Sequence, residues 1–534
     1  MIRSSFAAIA CWLVWGALST APARSEECGR NSQECAAYHV SRREYSQAIP
    51  YLEQTLEGSP RSVKVLNLLG ISLTASGQVE KANVQFKKAL GLQPNFFPAE
   101  KNLAVNEFNS GRRSEAKGHF QNVLRYAPDD EVANLYLGEI FFMEKQCAAA
   151  LPHYDRSRGR IVNSPDLIFR YAHCSLDQKR AAPAATMLSL LPAGDALSQF
   201  RAGQMLAQAG VFKEAAEHFG LSRPGYPEPN IAGYNQVLML FKSGDYPAAT
   251  RVGQELIAQG YKQSDLYSLV SEAYQKNDQI KEAYDVLRKA TQINPREESN
   301  YLDLAALCLD YENYDLGLEI SDIGLRNIPN SDRLYLQRGV MRAMKGQVAE
   351  SEKDFEMARS LAPQKTLPYV ALGIAWMQLG EIQKAVEELQ KQAQRNPEDF
   401  LVHYLLGEAL LRSGPPPGSD VESGAIRAFE TSVRLNPNFV HSRAGLGKLL
   451  LRRGELDRAI GELEKAVEID PAETAPVFQL ANAYRRKGDT ARADQTMARV
   501  SQLHEQARED SMGKALKRIV KEAAPGFTVT RNKP

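Results

Sequence analysis

Residues 63–96 read VKVLNLLGISLTASGQVEKANVQFKKALGLQPNF, and this stretch decides the fold. Leu66, Leu69, Gly70 and Leu73 fall at i, i+3, i+4 and i+7, one face of a first helix. Gly77 and Gln78 interrupt it, and Ala82, Phe86 and Ala89 then stripe a second helix. Pro94 closes that helix, because proline lacks the N–H that would continue the ladder and disfavours helix in the residue before it. Gly70 and Ala82 are small, which lets the two axes approach closely. A single helix pair cannot bury its own apolar face, so it must stack on others like it.

The rest of the chain supplies them. Pro60, Pro94 and Pro128 stand 34 residues apart, and so do Pro295, Pro329, Pro363 and Pro397. Counting 34 residues back from Pro295 reaches Tyr261 and then Pro227. After Pro397 the next marker is Pro437, a step of 40, and then Pro471 at 34; the six extra residues lie in Pro-Pro-Pro-Gly-Ser-Asp at 415–420. A strict period of this length marks one supersecondary unit stacked many times.

Segment 264–297 shows Tyr267, Val270, Ser271 and Tyr274, then Ala283, Leu287 and Ala290, then Pro295. Segment 366–399 shows Tyr369, Leu372, Gly373, Trp376, Gly380, Ala385, Leu389 and Pro397, and segment 440–473 shows Leu446, Gly447, Gly454, Ala459, Leu463, Ala466 and Pro471. These residues resemble the tetratricopeptide-repeat signature Trp-x-x-Leu-Gly-x-x-Tyr, Ala-x-x-x-Phe, Pro, and about fourteen such units fit between residues 29 and 507. The resemblance implies an all-α, right-handed superhelical solenoid of antiparallel helix pairs, with the first helices lining its concave side. Two departures carry expectations. Gly317, Ser321 and Gly324 replace the usual Ala, Phe and Ala, which predicts a loosely packed second helix and a flexible joint in unit 298–331. The insertion at 415–420 reads as a neutral loop extension at the surface.

The expected organisation is a signal peptide at 1–25, the solenoid at 26–507, a capping helix at 508–524 and a flexible tail at 525–534. Arg3, the apolar run Phe6 to Leu18 and the small-residue exit Ala21-Pro22-Ala23-Arg24-Ser25 carry the first reading; the run is short for a bilayer span. A lipoprotein reading on Ala8-Ile9-Ala10-Cys11 fits less well, since most of the apolar stretch follows that cysteine. The protein is thus expected to be periplasmic or secreted, with no membrane span. At the other end Leu503, Ala507, Leu516, Ile519 and Val520 are backed by Lys514, Lys517, Arg518 and Lys521, as suits a cap on the last exposed core.

Net charge is +1 over 534 residues, which argues against nucleic acid as a partner. In an oxidising compartment Cys147 and Cys174 form a possible disulfide, because the start of one helix lies beside the end of its antiparallel neighbour. A metal site using His153 and His173 is disfavoured, because those residues face differently from the cysteines. Cys308 occupies an apolar slot and reads as a buried thiol. Cys28 and Cys35 can pair only if Asn31 or Ser32 starts the helix and Cys28 folds back. No GxSxG, HExxH, GxGxxG or P-loop is present, so neither an enzyme nor a cofactor is expected. The repeats are similar to those preceding the catalytic half of O-linked sugar transferases, but the chain leaves no room for that half.

Mapping the family's inward positions gives a partner-binding groove of Phe108, Phe142, Phe169, Phe200, Tyr234 and Phe241. An apolar stretch follows at Leu336, Val340, Met344, Val370, Ile374 and Met377, and a basic one at Lys448, Arg452, Arg485 and Arg486. Lys101 matches one position of a carboxylate clamp used in the family, but Val105 replaces the asparagine expected one turn later. The expected function is an exported, non-enzymatic scaffold holding peptide or protein partners. A component of an envelope assembly, such as polysaccharide export or secretion, is the alternative.

Overall fold

The computed structural model describes residues 31–506, and every regular element among them is a helix. The expected signal peptide, the capping segment 508–524 and the tail lie outside the described residues. The described residues pack as two units, one ending at Ser243 and the other starting at Gly244.

Each helix pair repeats the arrangement read from residues 63–96, where Val63–Ala75 is followed by Val79–Leu92. The turn between first and second helix always passes through a residue with positive φ. These are Arg43, Gly77, Gly111, Lys145, Lys179, Gly210, Gly244, Asp278, Glu312, Gly346, Gly380, Gly414, Gly454 and Gly488, and the longer turn at 413–419 adds a second, Gly418. Glycine takes that conformation without steric cost, whereas Arg43, Lys145, Lys179, Asp278 and Glu312 hold it under strain. The tight turn lets the two helices meet face to face. A Cβ on Gly447 would lie 2.5 Å from Leu463 Cγ, so only hydrogen fits at that contact.

Successive pairs are joined by a recurring hydrogen bond. The fourth residue of a pair donates to the carbonyl six residues earlier, which belongs to the residue closing the preceding pair. Tyr267 Oη reaches Tyr261 O at 2.9 Å, Tyr301 Oη reaches Pro295 O at 3.0 Å, and Tyr369 Oη reaches Pro363 O at 3.0 Å. Asn134 Nδ2 reaches Pro128 O at 2.8 Å and Arg443 Nε reaches Pro437 O at 2.7 Å. His403 Nε2 lies 2.9 Å from Pro397 O. Side-chain type varies, but the donor is kept, because the helix end leaves that carbonyl without an intrahelical partner.

One expectation is corrected. The second helix Tyr314–Asn327 is closely packed, because its small residues admit large neighbours. A Cβ at Gly317 would meet Met341 Sδ at 2.5 Å, and one at Gly324 would meet Tyr301 Cγ at 3.0 Å. Buried Ser321 donates to Gly317 O at 2.9 Å. The insertion at 415–420 extends a turn at the surface, as expected, with residues 416–418 exposed, and hydrogen bonds tie it to its neighbours. Gly418 N donates to Glu422 Oε2 at 2.6 Å, and Arg452 reaches both Glu422 Oε1 at 2.7 Å and Pro415 O at 3.2 Å.

Cys147 and Cys174 are joined by a disulfide, Cα–Cα 4.8 Å, linking the start of helix Cys147–Arg156 to the last turn of Pro165–Asp177. The helix Ser32–Ser41 opens with Asn31 as its N-cap, and Cys35 takes part in a disulfide; Cys28 lies outside the described residues.

Candidate functional site

In the second unit the first helices of consecutive pairs touch one another, as Asp332–Met344 touches both Glu298–Asp310 and Leu367–Leu379, and in the first unit several do, as Val63–Ala75 touches Phe97–Asn109. Second helices make no comparable contact with each other among the described residues. The first-helix side is therefore the tighter one and is locally concave, as expected for a binding surface.

Three of the rings mapped to that surface are core residues. Phe108 is 8 % exposed and packs edge-on to Tyr136 at 4.9 Å. Phe169 is 4 % exposed, with the Arg201 guanidinium 4.1 Å from its ring centre. Phe200 is 7 % exposed, stacked on Tyr226 at 4.0 Å and edge-on to Phe219 at 5.2 Å. Phenyl rings at these positions wedge between neighbouring helices, so burial of apolar area outweighs display. Phe142, Tyr234 and Phe241 are half-buried and keep an edge on the surface. Arg170 and His173 flank the Phe142 ring at 5.7 and 5.9 Å.

The apolar stretch divides the same way. Leu336, Val340, Val370 and Met377 are buried, while Met344 and Ile374 are half-buried. A cleft of about 640 Å³ lies beside it, between the starts of Leu367–Leu379 and Phe400–Arg412, lined by Leu367, Val370, Asn396, Phe400 and Leu401 among others. Of the four basic residues, Arg452 is engaged by Glu422 and Arg486 donates to Leu451 O, whereas Lys448 and Arg485 are exposed. Lys101, the partial clamp match, is bonded to Asp130 at 2.6 Å.

Several buried reactive groups are committed to structure. Glu139 is fully buried, paired with Arg170 and accepting from Tyr154 Oη at 2.7 Å. Asp354 accepts from Arg338 at 2.6 Å and Arg342 at 2.8 Å. Burial pushes the Cys308 thiol up to about 11, which keeps it protonated and poorly nucleophilic. Among the described residues no group of three His, Cys, Asp or Glu could hold a metal ion, and no helix is long and apolar enough to cross a membrane.

A recurring histidine contact was missed in the sequence. His119 faces Glu100 at 3.4 Å, His153 faces Asn134 at 2.9 Å and His218 faces Gln199 at 2.6 Å, each pair 19 residues apart. All three occupy the same two register positions. The signal was a polar residue in the slot normally filled by an aromatic, with histidine on the facing helix.

Profiles described as tetratricopeptide repeat match residues 102–165, 264–297, 423–474 and 450–518. Anaphase-promoting complex subunit 3 of Schizosaccharomyces pombe is 25% identical over 183 residues, which are 34% of this chain and 28% of that protein. The peroxisomal targeting signal receptor of Saccharomyces cerevisiae is 36% identical over 81 residues, 15% of this chain and 13% of the receptor. The chain thus matches less than a third of the length of each of these relatives. Among solved structures, the Cut9-Hcn1 hetero-tetramer aligns with TM-score 0.38 and 14% identity, covering 91% of this chain and 95% of that one. Yeast Tom70 aligns with TM-score 0.38 and 16% identity, covering 93% and 95%.

Proposed function

We propose that this chain, which carries tetratricopeptide repeats, is a non-enzymatic scaffold that holds protein or peptide partners on the first-helix side of its repeats. The observation that carries the reading is the division of labour within each pair. Recurring positions such as Gly447 and Leu463 are consumed by helix packing. The accessible first-helix residues instead differ from pair to pair, with Tyr234 and Phe241 in the first unit and Met344, Ile374, Lys448 and Phe478 in the second. A rigid frame with variable display positions selects partners by side-chain chemistry, with little backbone rearrangement. The names of the matched relatives, a complex subunit and a receptor for a targeting signal, support a binding role.

Export is part of the same proposal. It is supported by the charge and apolar pattern of residues 1–25 and by the Cys147–Cys174 disulfide, which persists in an oxidising compartment.

Photo-crosslinking in intact cells tests the binding surface. A crosslinking amino acid at Tyr234 or Phe478, on first helices, should give discrete protein adducts. The same group at Val84 or Met357, exposed on second helices, should give none. Adducts from the second-helix positions alone, or turnover of a nucleotide sugar by the purified chain, overturns the reading.

A further inference from the structure

We propose that the first-helix face near the C-terminal end of the second unit binds an acidic peptide segment bearing one large apolar side chain. Lys448 and Arg485 take its carboxylates and Phe478 takes the apolar residue. This rests on the scaffold reading above and names the partner class for one part of that surface.

The charge distribution carries the inference. First helices Val440–Arg453 and Thr474–Lys487 contain no Asp or Glu; the acidic residues of this region lie on the second helices or in the turns, as do Glu455, Asp470, Glu473 and Asp489. The surrounding cations are engaged. Arg443 pairs with Glu462, Arg452 with Glu422, Arg453 with Glu455, Arg458 with Glu430, Lys487 with Asp457 and Arg492 with Asp489. Lys465 pairs with Glu462, while Arg486 and Arg499 donate to the carbonyls of Leu451 and Pro471. Of the Lys and Arg on these two first helices, only Lys448 and Arg485 have no such partner among the described residues, and both are exposed.

Their placement makes them one site. Arg486 Nη1 donates to Leu451 O, which sets the C-terminal halves of the two helices side by side. Lys448 and Asn482 occupy equivalent register positions, 34 residues apart. Phe478, Asn482 and Arg485 follow at i, i+4 and i+7 on one stripe, and Lys448 holds the register position of Asn482 on the preceding first helix. Phe478 is 47 % exposed, unlike the buried rings of the first unit. The adjacent first helix offers Glu408, half-buried and 3.7 Å from its own Arg412. Arg452 holds the loop at Pro415 against the end of this row.

Two neighbouring cations without an anion repel each other, and carboxylates from a partner relieve that repulsion. Exposed ion pairs contribute little each in salt, so the apolar contact with Phe478 has to supply part of the affinity. A nucleic acid needs a longer row of cations than two, and the chain is close to neutral. The chain's own segment 508–524 is net positive, with five Lys and Arg against Glu509, Asp510 and Glu522, and so is a poorer match for this face than an acidic segment.

The test uses the full chain and a fluorescein-labelled Asp/Glu-rich peptide containing one Leu as its single large apolar residue, alongside its Asn/Gln counterpart. The acidic peptide should bind in a salt-sensitive manner and the amide counterpart should not. Binding should weaken about tenfold in the Lys448→Ala/Arg485→Ala variant and several-fold in Phe478→Ala, with helix content by circular dichroism unchanged. The Lys448→Glu/Arg485→Glu variant should prefer a Lys-rich peptide of the same pattern. The proposal fails if the wild type ignores the acidic peptide, if the amide counterpart binds equally, or if the alanine variant binds unchanged. It also fails if single-stranded oligothymidylate binds as tightly with the same dependence on both cations. Persisting crosslinks from Tyr234 in the alanine variant would show that the scaffold reading survives such a failure.

Discussion

Nδ1 of His218 lies 2.6 Å from Oε1 of Gln199, and both side chains are buried. The amide is oriented by its other end, since Gln199 Nε2 donates to Leu191 O at 3.1 Å and Pro192 O at 3.2 Å. Oε1 is therefore the acceptor and His218 Nδ1 carries the proton. Asn134 repeats the arrangement, donating to Pro128 O and Asp130 O and accepting from His153 Nδ1.

Burial holds both imidazoles below their ordinary value, with the nearby Arg156 adding to the effect at His153. Because the folded-state value is depressed, the unfolded chain binds more protons as pH falls, and the folded form loses stability. That contribution is complete above about pH 6.5, the unfolded value, and is lost as pH falls toward the folded values. Thermal denaturation should show the first unit melting earlier at mildly acidic pH. The His153→Gln/His218→Gln variant should flatten this dependence; an unchanged pH profile in that variant would refute the role of the two histidines.

Lys145 holds φ 59°, at a turn position where Gly77 holds φ 79°. Replacing Lys145 with glycine removes side-chain strain and should stabilise by up to about 1 kcal/mol after glycine's greater unfolded-state freedom is counted. Gly77→Ala should cost about 1 kcal/mol or more. Opposite shifts of the urea midpoint are expected, and shifts of the same sign would exclude this strain argument.

The Cys147–Cys174 bond closes a sequence separation of 27 residues. Reducing it should cost about 3–4 kcal/mol, chiefly by freeing the unfolded chain. Non-reducing peptide mapping should recover the linked peptides, and urea unfolding with and without reductant measures the difference. Free thiols at both positions in protein taken from an oxidising compartment would remove the contribution.

The repeat was legible because its markers are local. Proline ends a helix, glycine turns the chain, and small residues at Gly70 and Ala82 mark an axis contact, so each could be placed by counting. The binding surface was less legible. Whether Phe169 or Phe478 is displayed depends on which neighbour covers it, and periodicity places both on the same helix face. Arg201 over Phe169 and the Tyr226 ring on Phe200 come from neighbouring segments that no single-repeat template contains. Ion pairing is hidden for the same reason. Arg452 and Lys448 look alike in sequence, yet Arg452 is bound by a glutamate 30 residues away.

Gly317 gives the sharpest test of how cross-repeat packing overrides a local reading. In an isolated helix, alanine is favoured over glycine by about 1 kcal/mol, so Gly317→Ala should stabilise a loosely packed helix. Here the added Cβ would lie 2.5 Å from Met341 Sδ, 2.7 Å from Met341 Cε and 3.2 Å from Cys308 Cβ. Met341 is fully buried among Leu334, Val340 and neighbouring core side chains, which restricts how far it can swing aside. Overpacking of this kind costs about 1–3 kcal/mol, enough to outweigh the gain in helix propensity. Gly317→Ala should therefore lower the urea midpoint of the second unit, and the double variant Gly317→Ala/Met341→Ala should relieve the clash and show strong non-additivity. A raised midpoint in the single variant would restore the loose joint expected from the sequence.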